Sequence, residues 1–176
     1  MGTGIVICGL NGVGKSTLGK ALAAKLSFHF IDIEDLYFPK TDPHYTYASP
    51  RTRDEVQKLL LREIKAKAHE SFVLASVTGD YGEAFHSAFQ YAVLVSVPKE
   101  IRLQRVKNRS FHKFGDRMLP GGDLYEREEE FFDLVKSRTD NMVEDWVQTL
   151  DCPIIRIDGT KPVEENIKLI IKQILE

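Results

Sequence analysis

The chain has 176 residues, enough for one domain with a buried core and no need of disulfide or metal staples. Its formal net charge of −2 argues against a general nucleic-acid binder, which is usually basic, and no apolar run reaches membrane-spanning length. Hydrophobic residues at 43% and charged residues at 28% suit an ordinary globular domain. The two cysteines, Cys8 and Cys152, each lie beside a predicted buried strand and read as free thiols in a reducing compartment. With the first strand at the start of the chain, no cleavable signal is expected, and a cytoplasmic protein is.

The chain opens on an apolar run, Ile5-Val6-Ile7-Cys8, followed by Gly9-Leu10-Asn11-Gly12-Val13-Gly14-Lys15-Ser16-Thr17. Leu18 to Leu26 then repeats apolar residues at helical spacing. Glycine, four arbitrary residues and Gly-Lys-Ser, set between a strand and a helix, is the phosphate-binding loop pattern. Such glycines let consecutive N–H groups curl around one anion, and the helix N-terminus behind them adds a favourable dipole. Asn11, Gly12, Val13, Gly14, Lys15, Ser16 and Thr17 are thus expected to cradle a nucleoside triphosphate. Lys15 would reach the β- and γ-phosphates, and the Ser16 hydroxyl would ligate Mg²⁺.

Further strands are predicted at Phe28–Asp32, Phe72–Val77, Tyr91–Val97 and Pro153–Ile157. Continuous apolar runs separated by helical stretches suit parallel strands covered on both faces. The expected fold is α/β: a three-layer α/β/α sandwich around a five-stranded parallel sheet, one domain over residues 1–176. In such sheets chemistry gathers outside the carboxyl ends of the strands.

The second strand ends in three carboxylates within four residues, Asp32, Glu34 and Asp35. A phosphoryl acceptor needs a carboxylate to take its proton, and Mg²⁺ needs oxygen ligands; one acid of the three is expected to cap the next helix. If this strand neighbours the first, all three lie close to the γ-phosphate. The phosphate loop with this acidic segment resembles the small-molecule kinase branch of P-loop proteins. That branch includes nucleoside monophosphate kinases, shikimate kinase, gluconate kinase, and the uridine and nicotinamide riboside kinases. The resemblance implies ATP as donor and Mg²⁺ as cofactor. The run Glu34-Asp35-Leu36-Tyr37-Phe38-Pro39 is similar to the nucleoside-kinase segment whose aspartate is the proposed base. Phe30 to Glu34 can equally be laid on the Asp-x-Asp segment of shikimate and gluconate kinases. Asp35 ranks first as base, with Asp32 and Glu34 on the metal side.

Thr41 to Asp54 holds prolines, tyrosines and arginines without periodicity and reads as an ordered loop in an acceptor segment of about residues 37–70. Arg51 and Arg53 could fork onto an anionic acceptor or pair with Asp54 and Glu55; Tyr45 and Tyr47 could line its pocket. Val56, Leu59, Leu60, Ile64 and Ala68 then mark a core-facing helix. The third strand closes on Ser76, Val77 and Thr78 before Asp80, not on the carboxylate of a motor ATPase. Thr78, Gly79 and Asp80 are substrate or metal candidates, or a turn with Asp80 as cap.

After the fourth strand a Pro98-led helix carries Arg102, Arg105 and Arg109 on one face and runs into a glycine-containing lid of about residues 110–124. This is similar to the lid of adenylate-kinase-like enzymes, which implies phosphate clamping by Arg105, Arg109 and Arg117. The competing reading is a solvated basic face paired with Glu126 to Glu130. Tyr125 to Leu150 reads as one helix with Phe131, Phe132, Val135, Met142, Trp146 and Val147 inward. The last strand leads into Asp158-Gly159-Thr160 and Pro162, a tight turn opening a helix. That turn resembles the adenine-holding loop of nucleoside monophosphate kinases.

Together these features predict an ATP-dependent phosphotransferase acting on a small-molecule hydroxyl or phosphate acceptor. A nucleoside monophosphate kinase and a slowly hydrolysing nucleotide-binding regulator are the alternatives. Neither the acceptor nor the oligomeric state is written in a motif.

Overall fold

A computed structural model describes residues 2–66 and 70–176. Among these residues, five strands form one sheet: β1 (Gly4–Cys8), β2 (His29–Asp32), β3 (Phe72–Ala75), β4 (Tyr91–Ser96) and β5 (Ile154–Asp158). Their order is β2-β3-β1-β4-β5, and every pairing is parallel. The helices are α1 (Lys15–Leu26), α2 (Ile33–Tyr37), α3 (Arg53–Ala66), α4 (Lys99–Phe114), α5 (Tyr125–Ser137), α6 (Asn141–Val147) and α7 (Val163–Leu175).

The central strand shows why the sheet is covered on both faces. All five β1 residues are buried, and alternate side chains point to opposite faces. Val6 and Cys8 join a core with Val56 and Leu60 of α3 and Val143, Trp146 and Val147 of α6. Ile5 and Ile7 join a second core with Leu18 and Leu22 of α1 and Ile167 and Ile170 of α7. Each such side chain contributes about 1.5–3 kcal/mol on burial, so the run was apolar throughout because both faces are dry. A third, smaller cluster of Val106, Met118, Phe132 and Val135 joins α4 to α5. No helix among the described residues is long and apolar enough to cross a membrane.

Several boundaries differ from the sequence reading. β2 does not neighbour β1: β3 lies between them, with Ala75 opposite both Ile7 and Asp32. Strand adjacency is set by the crossover connections, and no local residue signals it. β3 ends at Ala75, short of the expected Val77, although Ser76 N–H still donates to Ile7 O at 3.0 Å and Gly9 N–H to Val77 O at 3.2 Å; the Ser76 hydroxyl pairs with the Tyr81 hydroxyl at 3.1 Å. The expected helix from Tyr125 to Leu150 breaks into α5 and α6 around Arg138-Thr139-Asp140. Met142 consequently lies 41% exposed rather than in the core. α4 runs on through Phe114, so the first part of the predicted lid is helix, followed by a 3₁₀ turn at Gly115–Met118. Ala68, expected on the core face of α3, lies outside the described residues. α3 itself opens on a capping box: Thr52 N–H donates to Glu55 Oε2 at 2.8 Å, and Glu55 N–H donates back to Thr52 Oγ1 at 3.3 Å.

Candidate active site

The loop between β1 and α1 is shaped by its glycines and by the helix behind it. Gly12 has φ 88, and a Cβ there would fall 2.4 Å from the carbonyl oxygen of Arg102, so α4 abuts the loop too closely for any side chain. Arg102 is 2% exposed; its Nε donates to Val97 O at 3.2 Å and its Nη1 to Asn11 O at 3.5 Å. The residue at the start of α1, Gly14, has no side-chain cap, so the first N–H groups of the helix face the loop interior. Lys15 lies at the floor of this pocket, its Nζ donating to Leu10 O at 3.1 Å. Burial pulls its pKa down to about 8; Arg109 pushes the same way and Asp32 opposes.

Three of the cavities among the described residues carry candidate site residues. The first, about 220 Å³, is lined by the loop residues Asn11, Gly12, Gly14, Lys15, Ser16 and Thr17. Asp32 and Glu34 enter it from the end of β2, and Arg105 and Arg109 from α4. The second, about 600 Å³, is lined by Glu34, Arg53, Thr78, Asp80, Arg138 and Trp146, among others. The third, about 370 Å³, lies on the other side of the loop, between Val13, Thr17, Arg105, Gly159 and Pro162. Glu34 lines both the first and the second cavity.

The acidic segment sorts itself by helix geometry. Asp32 is the N-cap of α2, its Oδ1 accepting Glu34 N–H at 3.1 Å. Successive helix positions are about 100° apart, so neighbouring acids cannot face the same way. Ile33 is buried, Glu34 turns into the cavities, and Asp35 turns out. The Asp35 carboxylate is 69% exposed, lines none of these cavities and lies 3.9 Å from Lys40. The geometry therefore does not bring the first-ranked base to the site; it brings Asp32 and Glu34.

The arginines divide in the same way. Arg105 Nη1 donates to Gly12 O at 3.3 Å and to Gly159 O at 3.1 Å, tying the phosphate loop to the turn after β5. Arg109 lines the first cavity with no hydrogen bond or ion pair to another described residue. Arg53 lies on the second cavity, bound to the Asp80 carbonyl at 2.5 Å and 3.4 Å from its carboxylate. Arg51 and Arg117, by contrast, are engaged away from the cavities. Arg51 Nη1 donates to Leu36 O at 2.7 Å. Arg117 forks onto Asp123 at 3.0 and 2.7 Å and donates to His44 O at 2.7 Å. Both are loop staples.

Gly79 packs under Trp146, where a Cβ would come within 2.8 Å of the indole ring, so it shapes the second cavity without lining it. After β5, Asp158 Oδ1 accepts Thr160 N–H at 2.8 Å and its hydroxyl proton at 2.6 Å, a local turn that leaves Gly159 and Pro162 facing the third cavity. Tyr45 and Tyr47 stack edge-on at 5.6 Å and bridge the acceptor loop to the lid. Tyr45 donates to Glu128 Oε1 at 2.9 Å, and Lys113 Nζ donates to the Tyr47 hydroxyl at 2.7 Å.

Sequence reasoning missed Arg138. It lies at the break between α5 and α6, half-buried, where its Nη1 donates to Asn11 Oδ1 at 2.6 Å and its guanidinium lines the second cavity. Burial lowers its pKa. The signal was present: Thr139-Asp140-Asn141 is a cluster of cap-forming residues in the middle of a supposed 26-residue helix, and such residues favour helix ends.

A family profile described as an AAA domain matches residues 5–133, from β1 into α5. The uncharacterized protein YqaC of Bacillus subtilis (strain 168) is 28% identical over 175 residues, covering 95% of this chain and 94% of that protein. Among solved structures, a gluconokinase from Sinorhizobium meliloti 1021 superposes with a TM-score of 0.55 at 16% identity, over 95% of this chain and 88% of that one. The deoxyadenosine kinase from M. mycoides gives 0.55 at 19% identity, over 98% of each chain. Shikimate kinase from Aquifex aeolicus vf5 gives 0.53 at 16% identity, over 98% of this chain and 96% of that one. These likenesses establish the fold as that of the P-loop small-molecule kinases. With its phosphate loop, its parallel sheet and a profile match over most of its length, the chain belongs to the AAA-domain family of P-loop proteins.

Proposed function

We propose that the protein transfers the γ-phosphoryl group of ATP to a hydroxyl of a small-molecule acceptor, with Glu34 as general base. The observation that carries this reading is the position of Glu34 on the wall shared by the phosphate-loop cavity and the larger second cavity. A base between donor and acceptor is what in-line transfer requires, because phosphoryl transfer leaves positioning and charge stabilisation as the protein's main work. In this reading the loop N–H groups and Lys15 hold the terminal phosphates, and Arg109 adds positive charge where charge moves during transfer. The third cavity, bounded by Gly159 and Pro162, takes the adenine side of the donor. The second takes the acceptor, with Arg53, Thr78 and Asp80 at its rim.

The Ser16 hydroxyl and Asp32 share the first cavity and fit Mg²⁺, which keeps several of its waters and needs only one or two protein oxygens. When bound, Mg²⁺ neutralises phosphate charge. Asp32, already bound to an N–H of α2, is held in a fixed orientation for that role. Glu34, first placed on the metal side, moves to the base role in this proposal, and Asp35 leaves the site.

The test is a panel of sugars, nucleosides, nucleotides and hydroxy acids scored by ATP consumption above background. Lys15→Ala should abolish transfer to the acceptor so identified. Glu34→Gln should lower kcat by about 10²–10⁴-fold while nucleotide affinity holds. Full turnover in Glu34→Gln would remove the base assignment. Strong stimulation only by nucleoside monophosphates would instead favour a phosphate acceptor, which needs no base.

A further inference from the structure

Arg102 is a buried charge that the proposed transfer does not use. It lies in the first turn of α4, and its guanidinium spans three segments. Nε donates to Val97 O at 3.2 Å, Nη1 donates to Asn11 O at 3.5 Å, and Nη2 lies 3.8 Å from the exposed Asp140 carboxylate. Asp140 belongs to the break between α5 and α6, two residues after Arg138. Arg138 in turn donates from Nη1 to the Asn11 side-chain oxygen at 2.6 Å. Asn11, Arg102, Asp140 and Arg138 thus close a ring in which Asn11 is held at both its main-chain and its side-chain oxygen. Burying a guanidinium is costly, and an ion pair with an exposed carboxylate offsets little of that cost. Fold stability alone is therefore a poor reason for this arrangement. Among the described residues, the one hydrogen bond that Arg102 makes to a distant part of the chain goes to the phosphate loop.

We infer that Arg102 and Arg138 are positioning residues of the donor site, fixing the peptide between Asn11 and Gly12 so that the Gly12 N–H faces the nucleotide phosphates. The inference rests on the nucleotide reading proposed above. In a planar trans peptide the carbonyl and the following N–H point in opposite directions. Asn11 and Gly12 line the phosphate-loop cavity and Arg102 does not, so a carbonyl turned onto Arg102 turns its N–H to the cavity side. That N–H is free to donate: among the described backbone hydrogen bonds none comes from Gly12, whereas Val13 N–H is spent on Leu10 O at 3.4 Å. The next carbonyl, Gly12 O, accepts from Arg105 at 3.3 Å, so the peptide units on both sides of Gly12 are pinned by arginines of α4. Cations on these carbonyl oxygens also polarise the peptides and strengthen their donors. Gly12 needs an external hold because the missing Cβ that lets α4 come so close also leaves its own backbone free to rotate. Arg138 lines the second cavity as well, so the same ring ties the donor loop to the acceptor side.

Nitrogen-15 amide NMR with Mg·ADP as the probe tests the inference without an acceptor or turnover. In the wild type the Gly12, Lys15 and Ser16 amides should all shift on titration. Arg102→Met and Arg138→Met should each largely abolish the Gly12 shift at saturation, while Lys15 and Ser16, oriented by the start of α1, keep theirs. Each variant should weaken Mg·ADP about tenfold, the scale of one hydrogen bond to a charged group. Arg102→Lys, which keeps a charged donor, should recover most of the Gly12 shift. Should Arg102→Met fail to fold, Arg138→Met at its half-buried position carries the test, because it releases the same asparagine. A Gly12 shift of wild-type size in the folded variants overturns the inference. So does an equal loss at Gly12, Lys15 and Ser16, which would mark a general loosening of the loop. No shift at any loop amide of the wild type overturns the nucleotide reading and the inference with it. Wild-type shifts at Lys15 and Ser16 without one at Gly12 remove only the inference.

Discussion

At the scale of single residues, Lys15 carries the most specific consequence. Burial and the nearby Arg109 hold its ammonium near pKa 8 against an ordinary 10.5, with Asp32 offsetting part of the effect. The sign follows from which state keeps the proton. Below about pH 8 both folded and unfolded chains hold it, so the cost of burying the charge is fully present. Between about 8 and 10.5 the unfolded chain keeps the proton and the fold releases it, so this group makes the fold more stable as pH rises through that window. Binding works in the opposite direction. Phosphates favour the ammonium, so nucleotide bound above about pH 8 should take up a proton, and affinity should fall as pH rises further. Calorimetry in buffers of different ionisation enthalpy checks this, and equal apparent enthalpies at pH 9 would refute it. Cys8 is the opposite case, a thiol pushed up to about 12 by burial and held on Val93 O at 3.4 Å. It forms no disulfide with Cys152, as both cysteines are free.

At the scale of elements, the two breaks in expected helices matter more than the helices. α2 starts immediately after β2 because Asp32 caps it, and that start decides that Glu34 rather than Asp35 faces the cavities. The interruption at Arg138-Thr139-Asp140 turns an arginine from a helix surface onto the Asn11 side chain of the phosphate loop. Arg138→Met keeps the aliphatic stem and removes the guanidinium. A half-buried charged hydrogen bond is worth about 1.5–3 kcal/mol, so the variant should lose about 10- to 100-fold in kcat/KM for Mg·ATP turnover. Steady-state kinetics at fixed acceptor decide it. Wild-type values would mean that Arg138 only anchors the break. The same reasoning explains why Arg51 and Arg117 looked functional in the sequence while the structure engages them on Leu36 O, and on Asp123 and His44 O. An arginine in a loop is equally useful for binding a ligand and for satisfying stray carbonyls, and its spacing does not distinguish the two.

At the scale of the whole molecule, three hydrogen bonds among the described residues join the acceptor loop to the region from the end of α4 to α5: Tyr45 to Glu128, Lys113 to Tyr47 and Arg117 to His44. A nucleotide analogue should therefore slow amide hydrogen exchange in residues 42–48 and 115–128 together. Protection of one stretch without the other would show that they open independently. What the sequence by itself determined is the phosphate loop, because its function depends on contiguous N–H groups and a helix start that local residues specify. It also determined the parallel α/β character, because strands dry on both faces must be apolar throughout. The tertiary structure decided the rest. It placed β3 between β1 and β2, turned Glu34 inward and Asp35 outward, and brought Arg138 across 127 positions of sequence to Asn11. Each of these depends on how elements cross and pack, and neither crossings nor facing directions are carried by the residues that use them.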